Sequence, residues 1–205
     1  MQKFLAAFTY IFNPLLIPAY ATLFYFLVTR NFFYRHEIYL VFIQVLILTL
    51  LLPISIFYLL KSLGLIKTKM LMDKKERRLP LAFYCILLLI LVKYSLSIFV
   101  IPELYYYFLG NLISAAVALL LILFNHRSSL HVLGSASLTM FIISISAYYH
   151  IQFLSLIAFF VLCTGMVASA RLQAKAHTLA EVTLGALLGI LPQVGLWFVW
   201  LVPSL

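Results

Sequence analysis

Acidic residues are nearly missing from this chain: Asp73 is the only aspartate, and Glu37, Glu76, Glu103 and Glu181 are the only glutamates. So few carboxylates leave no carboxylate-rich metal centre to build, and His126, His131, His150 and His177 are not spaced as a ligand set either. Cysteine is as scarce. Cys85 and Cys163 both fall inside apolar runs, which excludes a disulfide framework or a cysteine zinc site and leaves two small buried thiols. Charge of either sign is also rare, at 9% of residues against 66% hydrophobic and a mean hydropathy of +1.16. A soluble domain carries about 25% charged and about 45–50% apolar residues, so that class is excluded. The two-residue alternation of a membrane β-barrel is absent, as are low-complexity tracts, internal repeats and any segment polar enough for a separate soluble domain.

What the chain does have is long apolar runs. Phe4–Val28, Ile38–Leu60, Leu81–Ile101, Leu104–Phe124, Val132–Tyr149, Ile151–Ala168 and Leu179–Leu201 each approach the ~20 residues that cross a bilayer as a helix. They predict a single all-α domain over residues 1–205, an integral membrane bundle of six or seven transmembrane helices. In the first run, Asn13, Pro14 and Pro18 predict a broken or tilted segment. Ala19-Tyr20-Ala21 is similar to a signal-peptidase site, but the break before it leads us to expect that the segment is retained.

Polar residues concentrate in three places. The segment Lys61 to Pro80 holds Lys61, Lys67, Lys69, Lys74, Lys75, Arg77 and Arg78 against Asp73 and Glu76. It reads either as an anchor for anionic headgroups or as a phosphate clamp. The second place is Asn125-His126-Arg127-Ser128-Ser129-Leu130-His131, where Ser129 also suits a helix N-cap. The third is Ser169 to Gly189, with Arg171, Lys175, His177 and Glu181. On a helix His177 and Glu181, four apart, share a face, and the carboxylate can fix the imidazole tautomer. Gly185 and Gly189 continue that stripe and predict a close approach by another helix. Arg171 can join the pair only if the chain turns after it.

The third segment resembles the third signature of the type 2 phosphatidic acid phosphatase superfamily, SRxxxxxHxxxD followed by V and G, through Arg171, His177, Glu181, Val182 and Gly185. Glu181 stands in place of the usual Asp, and Ala170 occupies the serine slot, with Ser169 one position early. Ser129-Leu130-His131 is similar to the second signature, PSGH, with Leu130 in place of Gly. Arg78-Leu79-Pro80 is similar to the end of the first, KxxxxxxRP, although no Lys stands seven residues before Arg77 or Arg78. The resemblance implies His177 as a nucleophile that takes the phosphoryl group, oriented by Glu181, and His131 as the general acid. It implies Arg171 and Ser129 as phosphate contacts, with Lys74 and Arg78 as the clamp and Arg77 as a substitute.

If the segments follow spans two, four and six, all three open on one membrane face, where His131, Arg171 and His177 are expected to converge. That face carries Lys3, the seven basic residues of the loop, Arg127, Arg171 and Lys175, against Arg30 and Arg35 opposite. The bias points it to the cytoplasm. Lys93 is expected in mid-span beside Ser95 and Ser97, and Tyr105, Tyr106 and Tyr107 with Trp197 and Trp200 as an interfacial belt on the other face. The expected activity is metal-independent hydrolysis of a lipid phosphate or pyrophosphate through a phosphohistidine, with no cofactor. The partners expected are the lipid phosphate and membrane lipids and no nucleic acid, in a multi-pass protein of a bacterial plasma membrane. The alternative is a non-catalytic relative that binds or moves a lipid phosphate.

Overall fold

The computed structural model describes residues 8–66 and 74–200, the side chains of Lys74, Lys75 and Trp200 excepted. It is 80% helix, with no strand among the described residues. Seven helices follow in order: α1 (Ile17–Thr29), α2 (Arg35–Ser62), α3 (Lys74–Ile90, extended by a π-helical turn Leu91–Ser95), α4 (Pro102–Leu123), α5 (Leu130–Tyr148), α6 (Leu154–Gln173) and α7 (Leu179–Trp200). Six of them are long and apolar enough to cross a membrane, so this is a multi-pass membrane protein. The exception is α1, which at 13 residues covers only about 20 Å. Residues 8–11 form a separate helical turn. The chain breaks after it at Asn13, whose Oδ1 accepts the Leu15 N–H at 3.0 Å, and Pro18 then sits in the first turn of α1, where its missing N–H costs no bond.

Helix α5 is the centre, with 67% of its span buried against 11% for α2. Its small residues explain the position, because Gly134, Ser135, Ala136 and Ser137 let neighbouring backbones come close. The sequence expectation for Gly185 and Gly189 is met here. A Cβ on Gly185 would lie 2.6 Å from the Ser129 carbonyl oxygen, and one on Gly189 would meet the Leu133 carbonyl. The α5–α7 contact is therefore backbone against backbone. We expect Gly185→Ala to cost about 1–3 kcal/mol, read as a lower Tm in detergent. Gly165→Ala on α6, where nothing lies within 4 Å, serves as the control and should be neutral or slightly stabilising.

Polar side chains tie the helices inside the apolar core. Ser137 donates to Asn111 Oδ1 at 2.9 Å, Ser114 to the Leu188 carbonyl at 2.6 Å, and Gln193 to the Tyr107 carbonyl at 3.0 Å, while Thr139 and Thr164 meet at 3.1 Å. Each such bond contributes roughly 0.6 kcal/mol in a membrane bundle. At the end away from the polar segments, Tyr25 and Tyr149 donate to the two oxygens of buried Glu103 at 3.0 and 2.7 Å, joining α1, α4 and the end of α5.

Three sequence expectations are corrected. The basic run from Lys74 to Pro80 belongs to α3 instead of a loop, because Lys, Glu and Arg are strong helix formers and continue the apolar helix outward. The whole span is shifted with it. Lys93 consequently lies in the last, π-helical turn instead of mid-span, exposed, with Nζ 5.3 Å from the centre of the Tyr94 ring. Tyr107 departs from the expected interfacial belt: it is 1% exposed and packs on Phe141 with ring centres 4.5 Å apart. Tyr105 and Tyr106 are half-buried.

Candidate active site

Two helix ends shape the site before any side chain is placed. After α6, Ala176 N–H bonds the Arg171 carbonyl at 3.2 Å and Lys175 N–H the Leu172 carbonyl at 2.9 Å, with Lys175 at φ 49. These two bonds are a Schellman closure, and they supply the turn that brings Arg171 and His177 to one side. After α4 the same closure recurs, with His126 N–H on the Leu121 carbonyl, Asn125 N–H on the Ile122 carbonyl, and Asn125 at φ 63. It turns Arg127 and Ser129 inward.

Helix α7 begins with a capping box. Glu181 N–H bonds Thr178 Oγ1, and Thr178 N–H bonds Glu181 Oε2, both at 3.3 Å. His177 is thus the residue ahead of the cap, and its contact with Glu181 differs from the expected pairing on one helical face. The ring folds back so that Nδ1 donates to Glu181 Oε2 at 2.8 Å. In the neutral imidazole this leaves Nε2 with its lone pair free for nucleophilic or basic work. The other carboxylate oxygen receives Arg127 Nε–H at 2.9 Å. A backbone bond from Ser129 N–H to the Glu181 carbonyl, 2.9 Å, completes the seam between the α4–α5 loop and α7.

Around this pair the cations converge. His177 lies within electrostatic range of Arg77 and Arg171, and Arg77 in turn acts on Arg127, Arg171 and Glu181. His131, in the first turn of α5, is within range of Arg171, His177 and Arg77 and hydrogen-bonds the Thr9 backbone. His131, Arg171 and His177 therefore share one end of the bundle. Burial holds the His177 pKa below the usual imidazole value, and Arg77 and Arg171 push the same way, against the Glu181 hydrogen bond and charge. The ring is accordingly neutral near pH 7.

Four donors at this end have no partner although they are buried: Arg78 Nε, Arg171 Nε, Ser128 Oγ and Ser129 Oγ. Ser129 holds the N-cap position of α5, yet its hydroxyl makes no capping bond. Buried donors left unpaired are costly, and these come from three separate segments. Donors of this kind are suited to anion oxygens. Lys74 has its side chain outside the described residues, as do Lys67 and Lys69 in full.

The chain matches no protein-family model, no curated protein and no solved structure. The site must accordingly be read from its own residues. Among the described residues no three His, Cys, Asp or Glu side chains gather as a metal-ligand set. Arg127, Ser128, Thr178 and the Thr9 backbone were not singled out in the sequence. Only Thr178 left a signal there, since Thr178-Leu179-Ala180-Glu181 has the capping-box pattern.

Proposed function

We propose that this protein is a membrane phosphatase similar to the type 2 phosphatidic acid phosphatases, hydrolysing a lipid phosphate or pyrophosphate through a phosphohistidine. The observation that carries the reading is the set of buried, unpartnered donors on Arg78, Arg171, Ser128 and Ser129 at the same end as a neutral histidine whose Nδ1 is held by a carboxylate. In this reading the guanidiniums and hydroxyls take the phosphate oxygens, and Arg77 adds positive charge as negative charge builds on phosphorus. His177 Nε2 attacks phosphorus in line and the bond to the leaving oxygen breaks. That oxygen takes the proton the phosphate monoanion brings with it, because His131, the acid expected from the sequence, is half-buried beside Arg77, Arg171 and His177, which disfavour a protonated ring. Water then attacks the phosphohistidine, releasing inorganic phosphate and restoring His177.

Among the described residues Lys61, Arg77, Arg78, Arg127, Arg171 and Lys175 lie at the site end, against Arg30, Arg35 and Lys93 at the other. We place that end at the cytoplasmic side of a bacterial plasma membrane on this bias.

The test is turnover by the purified protein in detergent over a panel of lipid monophosphates and diphosphates, reading inorganic phosphate with EDTA present. Release that EDTA leaves unchanged is expected. Activity lost to EDTA and restored by Mg²⁺ or Zn²⁺ would reject the mechanism. A second reading, a lipid-phosphate binder without turnover, is favoured by the burial of the His177 side chain, 1% exposed. Saturable binding of the same lipids with no phosphate release would select it.

A further inference from the structure

Glu181 is gripped from two sides. Its Oε2 faces His177 Nδ1 and the Thr178 N–H, and its Oε1 faces Arg127 Nε. We propose that Arg127 is a positioning residue of this site: by fixing the outer oxygen of Glu181 it keeps the inner one on His177, and so sets the tautomer and direction of the imidazole. The kinetic part of this inference rests on the phosphatase reading above; the geometric part does not.

A glutamate needs such a hold more than an aspartate does. The torsion that turns its carboxylate is broad and two-fold, so rotation could carry Oε2 off the ring at little cost. Glu181 also stands where the resembling signature has the shorter acid, one methylene closer to the backbone. Arg127 closes that freedom from outside. It is itself held, because the loop carrying it is fixed at one end by the Schellman closure at Asn125 and at the other by the Ser129 N–H bond to the Glu181 carbonyl. The ion pair is only 25% and 15% exposed at its two side chains, so water screens it less than a surface pair.

Electrostatics point the same way. The charged or titratable groups facing His177 are Glu181 on its own segment, Arg77 from α3, His131 from α5 and Arg171 from α6. Arg77 and Arg171 oppose a positive imidazole and Glu181 alone favours it. Arg127, bound to Glu181, offsets part of that one favourable charge. Removing it takes a positive charge from beside the pair, and that loss favours the protonated ring.

Arg127→Met is therefore expected to lower kcat by roughly 10- to 100-fold, as loss of an outer-shell partner does, with KM little changed. The acidic limb of its pH–rate profile should move toward higher pH, and Arg127→Lys should recover much of both effects. Adding Arg127→Met to Glu181→Gln should cost little more than Glu181→Gln alone, since the arginine acts through that carboxylate. A readout free of turnover is the ¹⁵N spectrum of histidine-labelled protein, with His177 assigned by a His177→Asn variant. The wild type should show Nδ1 protonated and Nε2 bare, and Arg127→Met an averaged pair of nitrogens. A variant that loses Tm yet keeps kcat, the pH limb and the His177 nitrogen shifts would overturn the proposal. If the wild type releases no phosphate from any substrate, the phosphatase reading fails, and the nitrogen shifts still decide the role of Arg127.

Discussion

His177→Asn should abolish phosphate release, by on the order of 10⁵–10⁶-fold, because a covalent route loses its attacking atom and no neighbouring group replaces it. Asparagine keeps a polar group near Glu181, so the capping box at Thr178 and the Arg127 ion pair should survive and Tm should change little. Rapid quench with a substrate labelled in its phosphate gives the decisive measurement. Wild-type protein should carry an acid-labile, base-stable label on His177, and the variant none. Label persisting in His177→Asn would place the covalent step on another residue and reject the assignment of the nucleophile.

Glu181→Gln is expected to be nearly as damaging, with kcat falling by about 10³–10⁴-fold, the scale seen when an orienting carboxylate is lost from a histidine-based site. The amide keeps one acceptor, but its NH₂ must face either Arg127 or His177, and each of those is a donor in this site. The pH profile separates orientation from mere damage. Neutral His177 is the working form, and its pKa lies below the usual imidazole value of ~6.5 mainly through burial, so the wild-type acidic limb should fall below that value. Glu181 is the group that pulls it back up. Without the carboxylate charge the limb should therefore move to still lower pH, opposite in sign to the shift expected for Arg127→Met. Unchanged kinetics and an unmoved limb in Glu181→Gln would make the pair a structural cap and nothing more.

The site was only partly legible beforehand, and its particular residues show why. Arg171, His177 and Glu181 sit within eleven positions of one another, so spacing alone reveals that they can meet once the chain turns. What spacing cannot show is how it turns. Lys175 at φ 49 ends α6 with a non-glycine residue in the left-handed region, a conformation that no residue type demands there. His177 consequently meets Glu181 across a helix cap, and the same two residues form a hydrogen bond of different origin from the one periodicity suggests. Arg127 shows a deeper gap. It lies 54 residues from its partner, and a basic residue in a short polar loop is ordinarily a solvated charge.

The membrane character and the helix count were determined by the sequence itself, because in a bilayer an apolar run of sufficient length has no alternative but to satisfy its backbone as a helix. The break in the first run followed equally from local chemistry, since Asn13 offers a side-chain acceptor to the backbone and proline removes a donor. Tertiary structure decided the rest. Where α3 starts depended on whether Lys74 to Arg78 gained more as helix packed toward other segments than as loop, and that choice moved Lys93 to the far end of its span. The close approach at Gly185 and Gly189 was legible in their spacing, but that the small residues of α5 meet them, and so which helix stands at the centre, was decided by the packing. The gathering of Arg77, Arg127, His131, Arg171, His177 and Glu181 at one end is likewise a property of the packed bundle. The six sit on three separate segments, and only the antiparallel return of successive helices brings those segments within reach of one another.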